Sequence, residues 1–138
     1  WSDLGSWKEI LKMFDKNKYK LAKKKNIFHR PWGKYTNLFN GKEFLIKELF
    51  VKPKGILSLQ KHHHRAEHWL VTQGNPTITL TTDSLINKPN EHIFIPLQSI
   101  HRIQNPGNKP VKIREAQFGS LLKESDIVRY QDVYGRVR

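Results

Sequence analysis

The sequence predicts an all-β fold, a barrel or sandwich of short strands, preceded by one short N-terminal α-helix. From Phe28 onward the chain breaks into short runs rich in Val, Ile, Phe, Thr and Tyr, and Gly, Pro and Asn punctuate those runs at regular intervals. Helical periodicity is confined to the first fifteen residues. Many short strands leave many edges, and closure into a barrel removes them.

The elements follow in chain order. Ser6-Trp7-Lys8-Glu9 reads as a capping box, and Trp7, Ile10, Leu11 and Phe14 continue at helical spacing, so a helix is expected over 6–14. The basic run from Lys16 to Lys25 reads as a solvated linker over 16–27, and the β domain is expected to span 28–138. Asn40-Gly41 lies between Tyr35–Phe39 and Phe44–Val51, which predicts a hairpin turning at that dipeptide. Turn residues at 53–55, 73–76, 88–90 and 105–108 delimit further strands over 56–62, 68–71, 77–82, 92–95, 101–104 and 111–118.

Composition narrows the function. The chain has 138 residues, enough for one domain with a real core, and no cysteine, which excludes disulfides, thiolate metal sites and cysteine nucleophiles. No apolar run is long enough to span a membrane and no signal peptide is visible, so a cytoplasmic setting is expected. The first residue is Trp1 rather than Met, and the chain is expected to be a fragment. The net charge of +13 invites a nucleic-acid reading, but the densest basic run has one aromatic, Tyr19, and no nucleic-acid motif. The surplus instead suits attraction of small anionic substrates.

Two clusters carry the chemistry. Gln60, His62 and His64 alternate along one segment and share a face if it is extended; Glu67 joins them only if the chain turns near 64–66. His101 lies in the second cluster, Pro96-Leu-Gln-Ser-Ile-His101. Imidazole, carboxylate and amide oxygen together suit zinc and its first-row neighbours.

The spacing Gly55, Gln60-x-His62, Glu67, Gly74 resembles the first cupin motif, and Pro96-x-Gln98-x-x-His101-x-x-x-Asn105 resembles the second, with Gln60 in the place of a histidine and Gln98 in the place of a glycine. Together with Arg30-Pro-Trp-Gly-Lys-Tyr35, His63-His-Arg-Ala-Glu-His-Trp69, Asp126-Ile-Val-Arg129 and Asp132-Val-Tyr-Gly-Arg136, they resemble type II mannose-6-phosphate isomerase over 28–138. Such domains usually follow a mannose-1-phosphate guanylyltransferase domain. Trp1-Ser-Asp3-Leu-Gly-Ser-Trp7 resembles the end of that partner, so 1–15 is expected to be its remnant; Asp3 is expected to bind no functional metal, and guanylyltransferase activity is not expected.

The resemblance implies a cupin-type jelly-roll β-barrel holding one divalent metal, most often zinc, through Gln60, His62, Glu67 and His101. It implies interconversion of mannose 6-phosphate and fructose 6-phosphate, supplying GDP-mannose and polysaccharide synthesis. Arg129 is the candidate catalytic cation. Arg136, Lys61 and Arg65 are candidates for the substrate phosphate, with Arg102 nearby and a solvated surface charge the alternative for each of the last three. The proton-transfer base stays open among Glu48, Glu115, Lys61 and Asp126. His63 and His68 are expected to serve hydrogen bonding or the surface, His64 either the surface or the metal's surroundings, His29 and His92 structural or exposed positions, and Trp32 and Trp69 the core. Gln98 must take a conformation that glycine adopts freely, and Pro76 must begin a strand or lie at an edge.

Two alternatives stand beside the isomerase: a non-catalytic sugar-phosphate or nucleotide-sugar module that associates with a separate guanylyltransferase, and a cupin of other chemistry such as an iron dioxygenase, against which Gln60 speaks. A homodimer through the apolar run Phe44–Val51 is also expected if that run forms an edge, whereas a core position for it excludes this.

Overall fold

The computed structural model describes residues 26–81, 83–120, 122 and 125–136, and these form eleven strands and no helix. The helix expected over 6–14, Asp3 and most of the linker lie outside the described residues. The strands are β1 (Asn26–Arg30), β2 (Gly33–Gly41), β3 (Phe44–Val51), β4 (Leu59–Lys61), β5 (Arg65–Gln73), β6 (Thr77–Leu80), β7 (Asp83–Ile86), β8 (His92–Ile95), β9 (His101–Gln104), β10 (Val111–Gly119) and β11 (Val128–Gln131). They pair in two sheets, ordered β1-β2-β3-β10-β5-β8 and β11-β4-β9-β6-β7, with every pairing antiparallel.

The sheets enclose one core of Trp32, Leu49, Val51, Trp69, Val71, Ile78, Ile103, Val111 and Ile113, among others. Alternation along β10 sends Val111, Ile113, Glu115 and Gln117 inward. Register then sorts them by polarity: Ile113 stands between Leu49 and Val71, Glu115 between Lys47 and Trp69, and Gln117 between Leu45 and Glu67. The interior therefore runs from an apolar end to a polar one along the same three strands.

Several elements differ from expectation. β1 begins at Asn26, inside the expected linker, and β7 and β11 are strands that the residue pattern did not reveal. The first hairpin turns at Lys42-Glu43, not at Asn40-Gly41: Gly41 pairs with Phe44, and Glu43 takes the left-handed φ of 65°. Gly41 serves close approach instead, because a Cβ there would collide with the Phe44 ring, which stacks 5.2 Å from Phe39. β3 is hydrogen-bonded on both sides, by β2 and β10, so the run Phe44–Val51 offers no edge for a partner. Pro76 does precede the first residue of β6, and its carbonyl accepts from Asn87. Gln98 does take the left-handed region, at φ 63°, while its amide donates to the His62 carbonyl at 2.9 Å.

Candidate metal centre

β4 ends at Lys61, and the chain bends before β5 begins at Arg65. That bend breaks the alternation. His62 stays buried at 2%, whereas His63 is exposed and His64, expected to share the inward face, turns to solvent and sets its Nδ1 3.2 Å from the Asp126 carboxylate. It also lets Glu67 point inward from β5, as the turn requirement demanded. Gly119, paired with Arg65, allows the close approach: a Cβ at its φ of 157° would collide with the His64 carbonyl.

His62, Glu67 and His101 meet inside the barrel, each 2% exposed or less, with one potential ligand atom from each lying within 4.8 Å of the others. The His62 Nε2 is 3.3 Å from Glu67 Oε2, and the His101 Nε2 is 3.6 Å from Glu67 Oε1. Backbone contacts fix both rings: Nδ1 of His62 donates to the Asp126 carbonyl at 2.7 Å, and Nδ1 of His101 to the Ser99 carbonyl at 2.9 Å. A ring that donates through Nδ1 keeps the Nε2 lone pair for a ligand. Burial pushes His62 down to about 3, helped by the neighbouring Arg65 and His101, and burial alone is the largest cause that pushes His101 down to about 4. Both imidazoles are therefore neutral at pH 7.

Gln60 is the cross-strand partner of His101 on β9 and of Arg129 on β11, which puts the three on one face of the sheet. Its amide oxygen accepts from Ser58 at 2.7 Å and retains a second lone pair. The donor set fits a first-row cation. The buried His101 Nε2 has no hydrogen-bond partner, and an orphaned acceptor beside a carboxylate is costly unless something positive meets it.

One cation already touches this group. Arg65, 4% exposed, donates from Nε to Glu67 Oε2 at 3.0 Å, and its Nη2 lies 3.2 Å from His62 Nε2. Trp69, expected in the core, is buried there and also bridges two acids: its Nε1 donates to Glu67 Oε1 and Glu115 Oε1, both at 3.1 Å. Gln117 donates to the other Glu115 oxygen at 3.0 Å. Burial, reinforced by the Glu67 charge, pushes the Glu115 carboxyl up to about 7.

A small cavity opens beside the cluster, and Gln60, Arg65, Glu115, Arg129 and Arg136 help line it. Of the four candidate bases, only Glu115 does so. Glu48 pairs with Arg114 on the outer face, Asp126 accepts the His63 and His64 amides, and the Lys61 ammonium lies 5.9 Å from the exposed Tyr130 ring. Arg102 binds the carbonyls of Leu57 and Gln131 and is also absent from the lining. Arg136 forms a two-pronged pair with Asp132 at 2.6 and 3.1 Å. Residue patterns gave Arg30, Tyr35 and Lys47 no role at this cavity, although the parity of β3 from Leu49 already turned Lys47 inward. His68 is buried on the opposite face of β5, 3.3 Å from His92, and His29 is exposed.

Residues 16–132 match the family described as mannose-6-phosphate isomerase C-terminal. The chain belongs to that family. It is similar to the alginate biosynthesis protein AlgA of Pseudomonas fluorescens, 46% identical over 108 residues that cover 78% of this chain and 22% of that protein. It is also 46% identical over 109 residues to a mannose-1-phosphate guanylyltransferase of Escherichia coli K12, covering 79% of this chain and 23% of the relative. The chain thus spans less than a quarter of these curated relatives. Among solved structures it resembles the cupin domain of Schizosaccharomyces pombe Cnp3, with a TM-score of 0.63 at 16% identity and 68% of each chain covered. That likeness assigns the all-β cupin fold to this member of the isomerase family. Among the described residues no helix is long and apolar enough to cross a membrane.

Proposed function

We propose that this domain binds one divalent cation, zinc in the first instance, through Gln60, His62, Glu67 and His101, and interconverts mannose 6-phosphate and fructose 6-phosphate in the cytoplasm. The observation that carries the reading is the convergence of two backbone-locked neutral imidazoles and a carboxylate, buried beside a cation-lined cavity whose wall includes Gln60 and Arg65, in a chain of the isomerase family. A bound cation supplies Lewis-acid polarisation of the sugar's carbonyl and hydroxyl oxygens.

The remaining tasks fall to the chain's own groups. Moving a proton between C2 and C1 needs a carboxylate or an equivalent base inside the cavity, and Glu115 is the candidate that lies there. Arg129 stands on the same face as Gln60 and His101, where its guanidinium favours negative charge developing on the substrate. Trp69 bridges Glu67 and Glu115 by donating to both, which fixes the orientation of each. The test is a coupled isomerase assay with elemental analysis of the same sample: metal at one equivalent and turnover abolished by chelation support the reading, and full turnover in metal-free protein overturns it.

A second reading is a sugar-phosphate-binding module that works with a guanylyltransferase. It is favoured by the 46% identity over 109 residues to a relative named a mannose-1-phosphate guanylyltransferase. Mannose 6-phosphate that raises the melting temperature without being isomerised selects it.

A further inference from the structure

An antiparallel sheet that packs its inner face on a core commonly leaves the outer face polar and solvated. The six-stranded sheet departs from this. Register sets one row across its outer face: Phe39 on β2, Ile46 on β3, Ala116 on β10, His68 on β5 and Phe94 on β8. Phe44 and Phe118 lie beside that row, and Phe44 stacks 5.2 Å from Phe39 and 6.5 Å from Phe118. Ile46, Ala116 and His68 are 3%, 0% and 1% exposed, although their parity is opposite to that of Leu49, Ile113 and Trp69, which face the core. Among the described residues, the cluster around Ile46 and Ala116 draws only on β2, β3, β5 and β10, so the second sheet does not cover it. Contiguous apolar surface of this kind marks a contact with another element.

The size of the patch limits what fits. The Glu48–Arg114 ion pair, at 2.9 Å, bounds it along β3 and β10. From Phe39 to Phe94 the row crosses four strand spacings, about 19 Å, with Ala116, its smallest side chain, at the centre. One short helix covers such a row, since nine residues make about 14 Å of helix.

The chain carries a segment of that size. Trp7, Ile10, Leu11 and Phe14 fall at the spacing of one apolar helical stripe, while Lys8, Glu9, Lys12 and Asp15 fall on the other side. A helix this short is marginal in water on its own, so its stripe needs a surface. The point of entry is favourable too. β1 starts at Asn26, opposite Asn37 and two positions before Phe39 in β2, so the preceding segment arrives beside the row. Residues 15–25 reach about 36 Å when extended. The distance from β1 to the strand of Ala116 is three spacings, about 14 Å. A tether of this length also holds the segment at an effective concentration near millimolar, an advantage that a separate partner of equal affinity lacks.

We infer that residues 6–14 form a helix that docks its Trp7, Ile10, Leu11 and Phe14 stripe on the outer face of the six-stranded sheet, over Ile46 and Ala116. The segment then acts as a third layer of this domain, independent of any guanylyltransferase function.

The test uses the full chain, whose lack of cysteine lets Lys12→Cys, on the polar side of the stripe, carry a single nitroxide spin label. The amide signals of Ile46, Ala116 and Leu70 should lose most of their intensity and recover when the label is reduced, while those of Ile78 and Ile103 in the other sheet keep theirs. Isotope-labelled chain without nitroxide, mixed with nitroxide-bearing chain, should show no loss. Leu11→Asp in the spin-labelled chain should restore the three signals and raise the fluorescence of a dye that binds exposed apolar surface several-fold, with a thermal melt showing the barrel still folded. Ile46 and Ala116 signals untouched by the label in the parent chain overturn the docking. Loss that occurs only in the mixed sample overturns it as well, because it assigns the face to a second copy, and loss that survives Leu11→Asp overturns the stripe as the contact.

Discussion

β3, β10 and β5 build two opposite environments within a few residues of each other. At one end Leu49, Val51, Val71, Val111 and Ile113 are 4% exposed or less, and nothing but apolar contact holds them. At the other end Lys47, Arg65, Glu67, Glu115 and Gln117 are buried at least nearly as deeply, at 6% or less, and every one of them carries charge or an amide. The strands, their register and their alternation are the same. Only the side chains differ, so one end stabilises the barrel while the other consumes part of that stability. Burying five polar groups is tolerable because Glu67 and Glu115 share the Trp69 N–H and Arg65 neutralises Glu67. This division explains why the site lies where it does: a cation-binding cluster needs desolvated donors, and these need a firm apolar base beneath them.

The contrast breaks most sharply when each end is mutated in turn. His101→Ala should leave the barrel folded but release the metal and cost about a thousandfold or more in isomerase turnover, measured by elemental analysis and the coupled assay. Ile113→Ala should do the reverse, lowering unfolding free energy by about 3 kcal/mol in urea titration while the folded fraction keeps its metal. If His101→Ala retains stoichiometric metal, the polar end is a structural network and not a metal centre.

How far each end was legible beforehand follows from the same contrast. The resemblance to the two cupin motifs selected His62, Glu67 and His101, whereas alternation by itself put His64 on the same face and made Glu67 depend on a turn, which the bend between β4 and β5 supplies. Alternation failed at His64, where the bend between β4 and β5 resets the phase and exposes the ring. It failed again at the first hairpin, because a bulge near Leu38 and the left-handed Glu43 shift the turn, and Asn40-Gly41 carries no sign of either. β11 was missed since Val128–Gln131 is not strongly apolar, and its place is set by pairing with β4. Arg30 and Lys47 were given no role for a related reason. Their meeting at the Tyr35 ring depends on register between strands, which no single segment encodes.

Arg65 sharpens the comparison from within the polar end. Its guanidinium occupies the vicinity of the two atoms, Glu67 Oε2 and His62 Nε2, that would also hold a cation. Two positive charges so close repel, so Arg65→Met should tighten zinc binding by about tenfold in chelator competition. Weaker binding in that variant would mean that Arg65 chiefly orients Glu67.

The smallest expected effect lies at the rim, where a buried carboxylate pairs with a partly exposed guanidinium. Burial raises the Asp132 carboxyl, yet the Arg136 guanidinium and the amides of Arg136 and Tyr134 outweigh it and hold the group below its usual value. Because the folded value lies below the unfolded one, the unfolded chain binds the proton more readily. The contribution of Asp132 is therefore complete above about pH 4 and drains away as pH falls through the folded value. Asp132→Asn should cost about 1 kcal/mol at pH 7 and nearly nothing at the acid end, where the parent carboxyl is protonated too. Parallel urea titrations at the two pH values measure it. A penalty equal at both would assign the stabilisation to side-chain shape rather than to the Arg136 pair, and would leave the ionic character of the rim without energetic consequence.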